Sequence, residues 1–345
     1  MIIIFLHVKL WASGSIDLFN LLAENLSSAY IGYRMTDQEI IKWLLGGDVS
    51  IQYQVYRDLL SEERVDLKDR IESEGWGKRY LAARNSNGHW GRGFYQPKWI
   101  SSHYTLLDLR NICISEKCLP VQETLGIIMK ENKGPDGGIN PSITRHNSDV
   151  CINGMALNYY SYFRWKEKDL KSIVDFILTQ HMADGGFNCH SNWISARHFP
   201  RHSSLHTTLS ILEGIQEYRQ NHYSYRLDDL GKVEKQSIEF ILQHRLFKSD
   251  KTGEIIKRDF LKLTWPSRWK YDILKALDYF RAAGFNYDKR MDDAIAVILK
   301  KRNKEGTWNL QANHPGATHF EMEKPGKPSS WNTLRALRVL RHFNI

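Results

Sequence analysis

Apolar and polar residues alternate along most of this chain with the spacing of amphipathic helices. Residues 171–178, for example, run Lys-Ser-Ile-Val-Asp-Phe-Ile-Leu, so that apolar positions recur three and four residues apart. Short glycine-centred loops separate such stretches, at residues 87–90, 136–139, 184–187, 252–254 and 305–308. The pattern predicts a chain of helices joined by tight loops.

The loops recur at a regular interval. Their central glycines are 49, 48, 68 and 53 residues apart, at Gly88, Gly137, Gly185, Gly253 and Gly306. Intervals of this size are typical of proteins built from repeated helical hairpins. Glycine also permits the positive φ that ends one helix and reverses the chain. The predicted repeat is therefore helix, glycine loop, helix.

The helices that follow the loops begin alike. Three of them start with two serines, at 101–102, 203–204 and 329–330. A serine hydroxyl at a helix start can accept hydrogen bonds from the free amides of the first turn. Segments starting at Ser148 and at Pro266 fit the same register. A sixth hairpin, without the glycine loop, is predicted at residues 37–45 and 49–60.

Six hairpins of this kind predict an all-α fold, an α/α toroid in which the hairpins close a ring. No hairpin buries its apolar face alone, whereas stacked hairpins bury a continuous core and a closed ring leaves no exposed ends. An open solenoid is the alternative. The inner helices are apolar and aromatic rather than grooved and polar, which favours the ring.

The ring has a consequence for function. If the inner helices run in one direction, their N-termini meet at one mouth, which becomes electropositive and suits an anion. The residues that begin these helices would face one another there: Tyr104, residues 149–151, His206, Trp269 and Asn332. Trp331 and the cations Arg268 and Arg335 are expected close to the same mouth.

Composition places the chain among globular proteins, because 42% of its residues are hydrophobic and 25% are charged. Its 11 Trp, 16 Tyr and 14 Phe suit a large core and a cavity with aromatic walls about equally. No apolar run approaches the roughly 20 residues that span a bilayer. The four cysteines are too irregularly spaced for a disulfide framework, so a reducing, cytoplasmic location is expected.

The domain is predicted to begin near Met35, which is followed by Thr-Asp, a good helix start. Residues 1–34 are then an extension of uncertain order, and residues 35–345 form one domain. The formal net charge is +9, with a basic excess after residue 300. No nucleic-acid motif accompanies this excess, so a solvated basic face is favoured and no nucleic-acid partner is expected.

At these residues the chain resembles the prenyltransferase and squalene-cyclase repeat superfamily, whose members are α/α toroids. Its loops resemble degenerate forms of the superfamily's glutamine-rich Gly-x-Trp motif, from Gln180 through Gly185 to Phe187 and again at residues 306–308. The resemblance covers roughly residues 36–345. It implies a central cavity for an isoprenoid or other apolar small molecule, including one that bears a diphosphate.

One branch of the superfamily, the class II terpene cyclases, protonates an alkene with an Asp-x-Asp-Asp motif. Protonating a carbon–carbon double bond requires a strong acid in a fixed position. The pairs at 228–229 and 292–293 lack the third acid, and the motif is absent from the sequence. Class II cyclase activity is therefore disfavoured.

A second branch is the β subunit of the protein farnesyl- and geranylgeranyltransferases, in which an Asp-x-Cys pair and a His-Thr pair hold zinc. Asp149, Cys151 and His206 match these elements, so the resemblance implies a bound Zn²⁺ with one position left for a thiolate or water. Each residue also has a simpler interpretation, as an N-cap, a buried thiol or a core histidine. Cys189 and His190 are rival ligands.

Other elements of that branch differ. Arg145 and His146 are out of register with its diphosphate-binding cations, and this chain contains no helical-repeat partner subunit. The sequence therefore predicts a zinc-binding toroid of prenyltransferase or terpene-cyclase type that acts on an isoprenoid or other apolar substrate. Arg268 and Arg335 would hold a diphosphate or carboxylate in it. The alternative is a non-catalytic scaffold with a structural zinc and a lipid or peptide in its cavity.

Overall fold

The computed structural model describes residues 34–142, 147–189 and 201–345, and these residues form helices and loops without a strand. The prediction of an all-α fold is confirmed. Short 3₁₀ helices lie at Lys98–Ile100, Arg258–Leu261 and Lys289–Met291. The α-helices are, in chain order, α1 (Asp37–Leu45), α2 (Val49–Leu59), α3 (Val65–Arg70), α4 (Gly75–Ala82), α5 (Ser102–Asn111), α6 (Leu119–Glu131), α7 (Val150–Tyr162), α8 (Glu167–Thr179), α9 (Leu205–Gln220), α10 (Leu227–Gln243), α11 (Ile273–Ala282), α12 (Asp292–Lys300) and α13 (Ser330–His342).

Helices of two kinds alternate along the chain. The inner helices α2, α5, α7, α9, α11 and α13 are buried on most sides; in α7 every residue from Ile152 to Ser161 is buried. The outer helices bury one stripe only, as in α1, where Ile40 and Leu44 alone are buried. In α7 this burial follows from the sequence, since that helix contains no charged residue. Helices α11 and α13 also bury charged residues, among them Lys275 and Arg335.

Successive inner helices run parallel to one another. The side-chain amide of Asn158 in α7 donates to the carbonyl oxygen of Glu213 in α9 at 3.0 Å, one turn beyond the closest approach of the two helices at Gly154. A Cβ atom on Gly154 would lie 2.6 Å from the carbonyl oxygen of Ser210. Only glycine allows this approach.

The last inner helix packs beside the first. Arg338 of α13 donates to the side chains of Gln54 and Asp58 in α2, at 3.2 and 2.7 Å. Arg341 donates to the carbonyl oxygen of Leu59 at 2.8 Å. These contacts join the two ends of the described chain.

The glycine loops link each hairpin to the next. Gly137 and Gly185 adopt φ of 88° and 91°, the left-handed region that the repeat was predicted to need. The carbonyl oxygen of each accepts a hydroxyl from the following outer helix, from Ser172 at 2.9 Å and from Ser237 at 3.0 Å. The loop therefore fixes the spacing of neighbouring repeats as well as the reversal of the chain.

The serines before the inner helices differ in the hydrogen bonds that their side chains make. Ser329 caps α13 as predicted, accepting from the backbone N–H of Asn332 at 3.0 Å. Ser101 and Ser204 make no capping hydrogen bond with their side chains. Ser203 instead donates its hydroxyl to Asp184 of the preceding loop. The paired serines thus both cap a helix, as Ser329 does, and hydrogen-bond to the preceding loop, as Ser203 does.

The prediction that Trp269 begins an inner helix is wrong. Helix α11 begins at Ile273, because the carboxylate of Asp272 accepts from the backbone N–H of Lys275 at 2.8 Å and caps the helix there. Arg268 and Trp269 lie in the connection before it. Arg268 adopts a positive φ of 57°.

Candidate functional site

A cavity of about 380 Å³ lies between the inner helices. All six inner helices contribute to its wall, from residues such as Gln54, Leu107, Asn158, Gln216 and Asp278. Most of these residues come from the middle and last turns of their helices. The cavity is therefore nearer the C-terminal ends of the inner helices than the mouth at their N-termini, where the sequence placed it.

The mouth at the N-terminal ends of the inner helices is covered by the connection before α13. The indole N–H of Trp99 donates to the carbonyl oxygen of Pro315 at 2.5 Å, and the Thr105 hydroxyl lies 2.8 Å from Nε2 of His319. A smaller cavity of about 160 Å³ remains beneath this connection. Trp265 and Arg268 line both cavities, so they stand at the inner end of the larger one.

The wall of the larger cavity is charged. Seven basic and four acidic side chains line it. Most of the basic groups are paired: Arg338 with Asp58 and Asp278, Arg281 with Asp278, Lys275 with Glu213, Arg110 with Glu217, and Arg57 with Asp58. Burial opposes the ionisation of Asp278, but Arg338 and Arg281 outweigh it and lower the pKa of that carboxyl. The Asp278 carboxyl is thus ionised, and each of the four acidic side chains is already engaged by a basic group.

Arg268 and Arg335, in contrast, keep unpaired donors. Nε and Nη1 of Arg268 and Nη1 of Arg335 have no hydrogen-bond partner among the described residues, although both side chains are about 95% buried. Arg335 lies 3.5 Å from Asp278, and Arg268 lies 4.0 Å from Asp108. Buried polar groups in native proteins nearly always find a partner. These two arginines therefore indicate where an anion would bind.

Two indoles add donors at the same end of the cavity. The indole N–H groups of Trp265 and Trp331 are also buried without a partner in the described part of the chain. The two rings stack, with centroids 4.3 Å apart, and the guanidinium of Arg335 lies 5.3 Å from the Trp265 centroid. A ligand at this end would meet five unpaired donor groups, on four residues, beside a flat apolar surface.

Asp108 lies behind Arg268 and was not identified from the sequence. Burial raises the pKa of its carboxyl to about 6, although Arg268 and the hydroxyl of Tyr80 both act to lower it. That hydroxyl donates to Oδ2 at 3.1 Å, while Oδ1 has no partner among the described residues. The group can therefore exchange a proton close to neutral pH. It lies next to Arg268 and does not line the cavity.

The residues predicted to line the cavity separate into two groups. Trp331, Arg268 and Arg335 line it. The other three are engaged elsewhere: the Tyr104 hydroxyl lies 3.2 Å from that of Tyr95, the Asn332 amide donates to the carbonyl oxygens of Leu263 and Asn309, and the Trp269 ring packs on His206 with centroids 5.0 Å apart.

The predicted zinc ligands do not assemble into a site. Within the described ranges, no three His, Cys, Asp or Glu side chains are grouped so that they could hold a metal ion. Asp149, Cys151 and His206 all lie in those ranges. Nδ1 of His206 accepts from the backbone N–H of Tyr271 at 2.7 Å, and burial together with nearby lysines lowers the pKa of its imidazole to about 3.

Cys151 lies beside Cys189 instead. The backbone N–H of Cys151 donates to Sγ of Cys189 at 3.2 Å. His190 lies outside the described residues, as do Arg145 and His146. Zinc bound with His190 among its ligands therefore stays a prediction.

Comparisons with known proteins find matches among solved structures, but no family model and no curated protein matches this sequence. Among solved structures, the chain is similar to the type II terpene cyclase MstE from Scytonema, at 11% identity over 77% of this chain, with a TM-score of 0.34. The match covers 94% of a variant in complex with its product merosterolic acid A and 93% of the apo form. No described helix is both long and apolar enough to cross a bilayer.

Proposed function

We propose that this protein binds a small organic anion in the central cavity, with the anionic group at Arg268 and Arg335 and the remainder against Trp265 and Trp331. The observation that carries the proposal is the set of buried, unpaired donors on these four residues. A buried donor without an acceptor costs on the order of 1–3 kcal/mol, and more for a charged group. A ligand that supplies acceptors removes this cost.

The cavity follows from a closed ring of six hairpins, which we also propose. Two observations support closure: all six inner helices line one cavity, and Arg338 of α13 bonds to Gln54 and Asp58 of α2. In an open solenoid the first and last repeats would not meet. The ring places Arg335 and Arg338, one turn apart on α13, at different depths of the same cavity.

The charges of the wall favour a carboxylate or a phosphate as the anionic group. Guanidinium groups present parallel N–H donors that match either. The four acidic side chains that line the cavity are already paired with other basic groups, and Asp278 also lies 3.5 Å from Arg335. An anion would therefore meet the remaining unpaired N–H groups of Arg268 and Arg335. The volume of about 380 Å³ lies at the lower end of the range for small-molecule sites.

An isoprenoid diphosphate is the second candidate. The stacked indoles of Trp265 and Trp331 provide an apolar surface for an alkene chain, and the arginines would take the diphosphate. Charged side chains line much of the remaining wall, however, and a long chain would leave them desolvated. A short organic anion therefore fits better than a long isoprenoid.

Calorimetric titration of the purified protein with four probes tests the proposal: inorganic phosphate, inorganic diphosphate, a short dicarboxylate and a ten-carbon isoprenyl diphosphate. We expect at least one to bind, and Arg335→Gln to weaken that binding at least about tenfold, since a charge-assisted hydrogen bond contributes about 1.5–3 kcal/mol. Arg64→Gln removes a partly exposed arginine that does not line the cavity, and this variant should bind as the wild type does. Binding by no probe, or equal weakening in both variants, would refute the proposal.

The same titrations distinguish the candidates. A short dicarboxylate or phosphate that binds at least as tightly as the isoprenyl diphosphate supports the first. Tighter binding of the isoprenyl compound than of inorganic diphosphate supports the second. Analysis of the mixtures for new products separates an enzyme from a scaffold.

A further inference from the structure

Cys151 and Cys189 form a pair that the ligand-binding proposal does not use. Cys151 lies in the first turn of α7, and Cys189 lies in the connection after the third glycine loop. The two residues are 38 positions apart, and the contact between the backbone N–H of Cys151 and Sγ of Cys189 is 3.2 Å.

The surroundings of Cys189 hold its sulfur in one position. Sγ accepts from the backbone N–H of Cys151 and lies 3.4 Å from the hydroxyl of Thr207 in α9. Two polar groups thus contact this sulfur, and Cys189 is 5% exposed. A cysteine that only fills space in a core is packed among apolar atoms. The contact with the backbone of Cys151 brings the two cysteines side by side.

The exposure of Cys151 distinguishes it from the other cysteines. Cys151 is partly exposed, whereas Cys113, Cys118 and Cys189 are buried. A small hydroperoxide would therefore reach Cys151 more readily than the others. Among the described residues, the pair also lacks the third ligand that a metal site needs.

We propose that Cys151 and Cys189 form a reversible disulfide when the protein meets a hydroperoxide. One thiolate attacks the peroxide oxygen, the O–O bond breaks, and the sulfur becomes a sulfenic acid while an alcohol or water leaves. The second thiol attacks that sulfur, the S–S bond forms, and water leaves. In total, two thiols pass two electrons to the peroxide and release water. The bond joins the connection before α9 to the start of α7.

Peptide mapping of the full-length protein tests the proposal. Reduced protein is treated with hydrogen peroxide, quenched in acid, unfolded, alkylated and digested. We expect a cross-linked peptide that contains Cys151 and Cys189, lighter than the reduced peptides by two hydrogens, and its loss on treatment with a dithiol. Cys118 should remain fully alkylated.

Variants separate this outcome from general oxidation. Cys151→Ser and Cys189→Ser should each abolish the cross-link, and Cys118→Ser should retain it. If Cys189 becomes a sulfinic or sulfonic acid without cross-linking, or if both thiols remain alkylated at peroxide doses that oxidise Cys118, the proposal is overturned. A cross-link that forms equally in the Cys151→Ser protein would overturn it as well.

Discussion

At the scale of single residues, the charged groups of the cavity differ in whether the protein supplies a partner. Asp278 is held by Arg281 and Arg338, and Glu213 by Lys275, so these groups are satisfied without a ligand. Arg268 and Arg335 keep free donors at the inner end. We therefore attribute the selectivity of the site to two arginines rather than to the overall charge of its wall.

Part of the set of residues at the inner end of the cavity was predicted from the sequence. Arg268 and Arg335 were predicted as anion ligands, because they lie close to the predicted electropositive mouth of the ring. Trp265 and Asp108 were not predicted. Asp108 acquires its properties from Tyr80 and Arg268, which are 28 and 160 residues away. Such pairings exist only once the fold is formed.

Asp108 should make stability depend on pH. Its pKa in the folded protein is raised to about 6, so the native state binds the proton more tightly than the unfolded chain, and the resulting stability is lost as the pH rises. Relative to Asp108→Asn, the wild type should therefore lose about 2 kcal/mol of unfolding free energy between about pH 4.5 and 8. Chemical denaturation at both pH values measures this difference.

Asp66 provides the control for this experiment. It is exposed and paired with Arg64, which lowers its pKa. Because both its folded and its unfolded pKa lie below pH 4.5, comparison with Asp66→Asn should show almost no change between the same two pH values. A wild-type protein that becomes more stable than Asp108→Asn as the pH rises would show that the Asp108 carboxyl is not destabilised by burial.

At the scale of helices and loops, the glycine repeat predicted most of the architecture. The hairpin at 37–45 and 49–60 appears as α1 and α2, with α2 one residue shorter than predicted. The start of α11 was misplaced because Asp272, four residues after Arg268, is a stronger cap than Ser267 in this context. Local sequence could not show which of two polar residues would be used.

The contact of α7 with α9 yields the element-scale prediction. A Cβ atom on Gly154 would lie 2.6 Å from the backbone of α9, so Gly154→Ala should force the helices apart and reduce the unfolding free energy by about 1–3 kcal/mol. Gly231, inside α10, has no atom within 4 Å of such a position. Gly231→Ala should therefore stabilise the protein by up to about 1 kcal/mol. Thermal or chemical unfolding of the two variants measures these changes in unfolding free energy. Similar changes in both variants would contradict the close packing of α7 against α9.

At the scale of the whole molecule, the direction of the inner helices was inferred correctly but its consequence was not. Their N-termini were predicted to form the functional mouth. The connection containing Pro315 and His319 covers that end, and the charged cavity lies towards the C-terminal ends. Because this connection has no helical periodicity, its packing position could not be predicted from the sequence.

The predicted domain boundary can be tested by truncation. A protein that starts at Met35 loses Arg34, which donates its N–H to Lys304 and pairs with Glu305 at the surface. We expect it to unfold cooperatively, with a free energy within about 2 kcal/mol of the full chain. Circular dichroism during denaturation measures this. Loss of helical signal or of cooperativity would place residues 1–34 within the domain.

Zinc binding remains a prediction for ligands that include Cys151, Cys189 and His190. Metal analysis of the purified protein tests it directly. Bound zinc that is lost in Cys151→Ser and kept in Cys118→Ser would support this ligand set, because the thiolate is a principal zinc ligand. Zinc retained equally in both variants would exclude it.

The proposed function depends most on the binding of an anion at the inner end of the cavity. Anomalous diffraction from crystals soaked in tungstate, an oxoanion of the size of phosphate, locates that anion without assuming its chemistry. We predict an anomalous-difference peak within hydrogen-bonding distance of the guanidinium groups of Arg268 and Arg335. This peak should be absent from crystals of Arg335→Gln. A peak confined to the molecular surface, or an empty cavity at a tungstate concentration that saturates binding in solution, would contradict it.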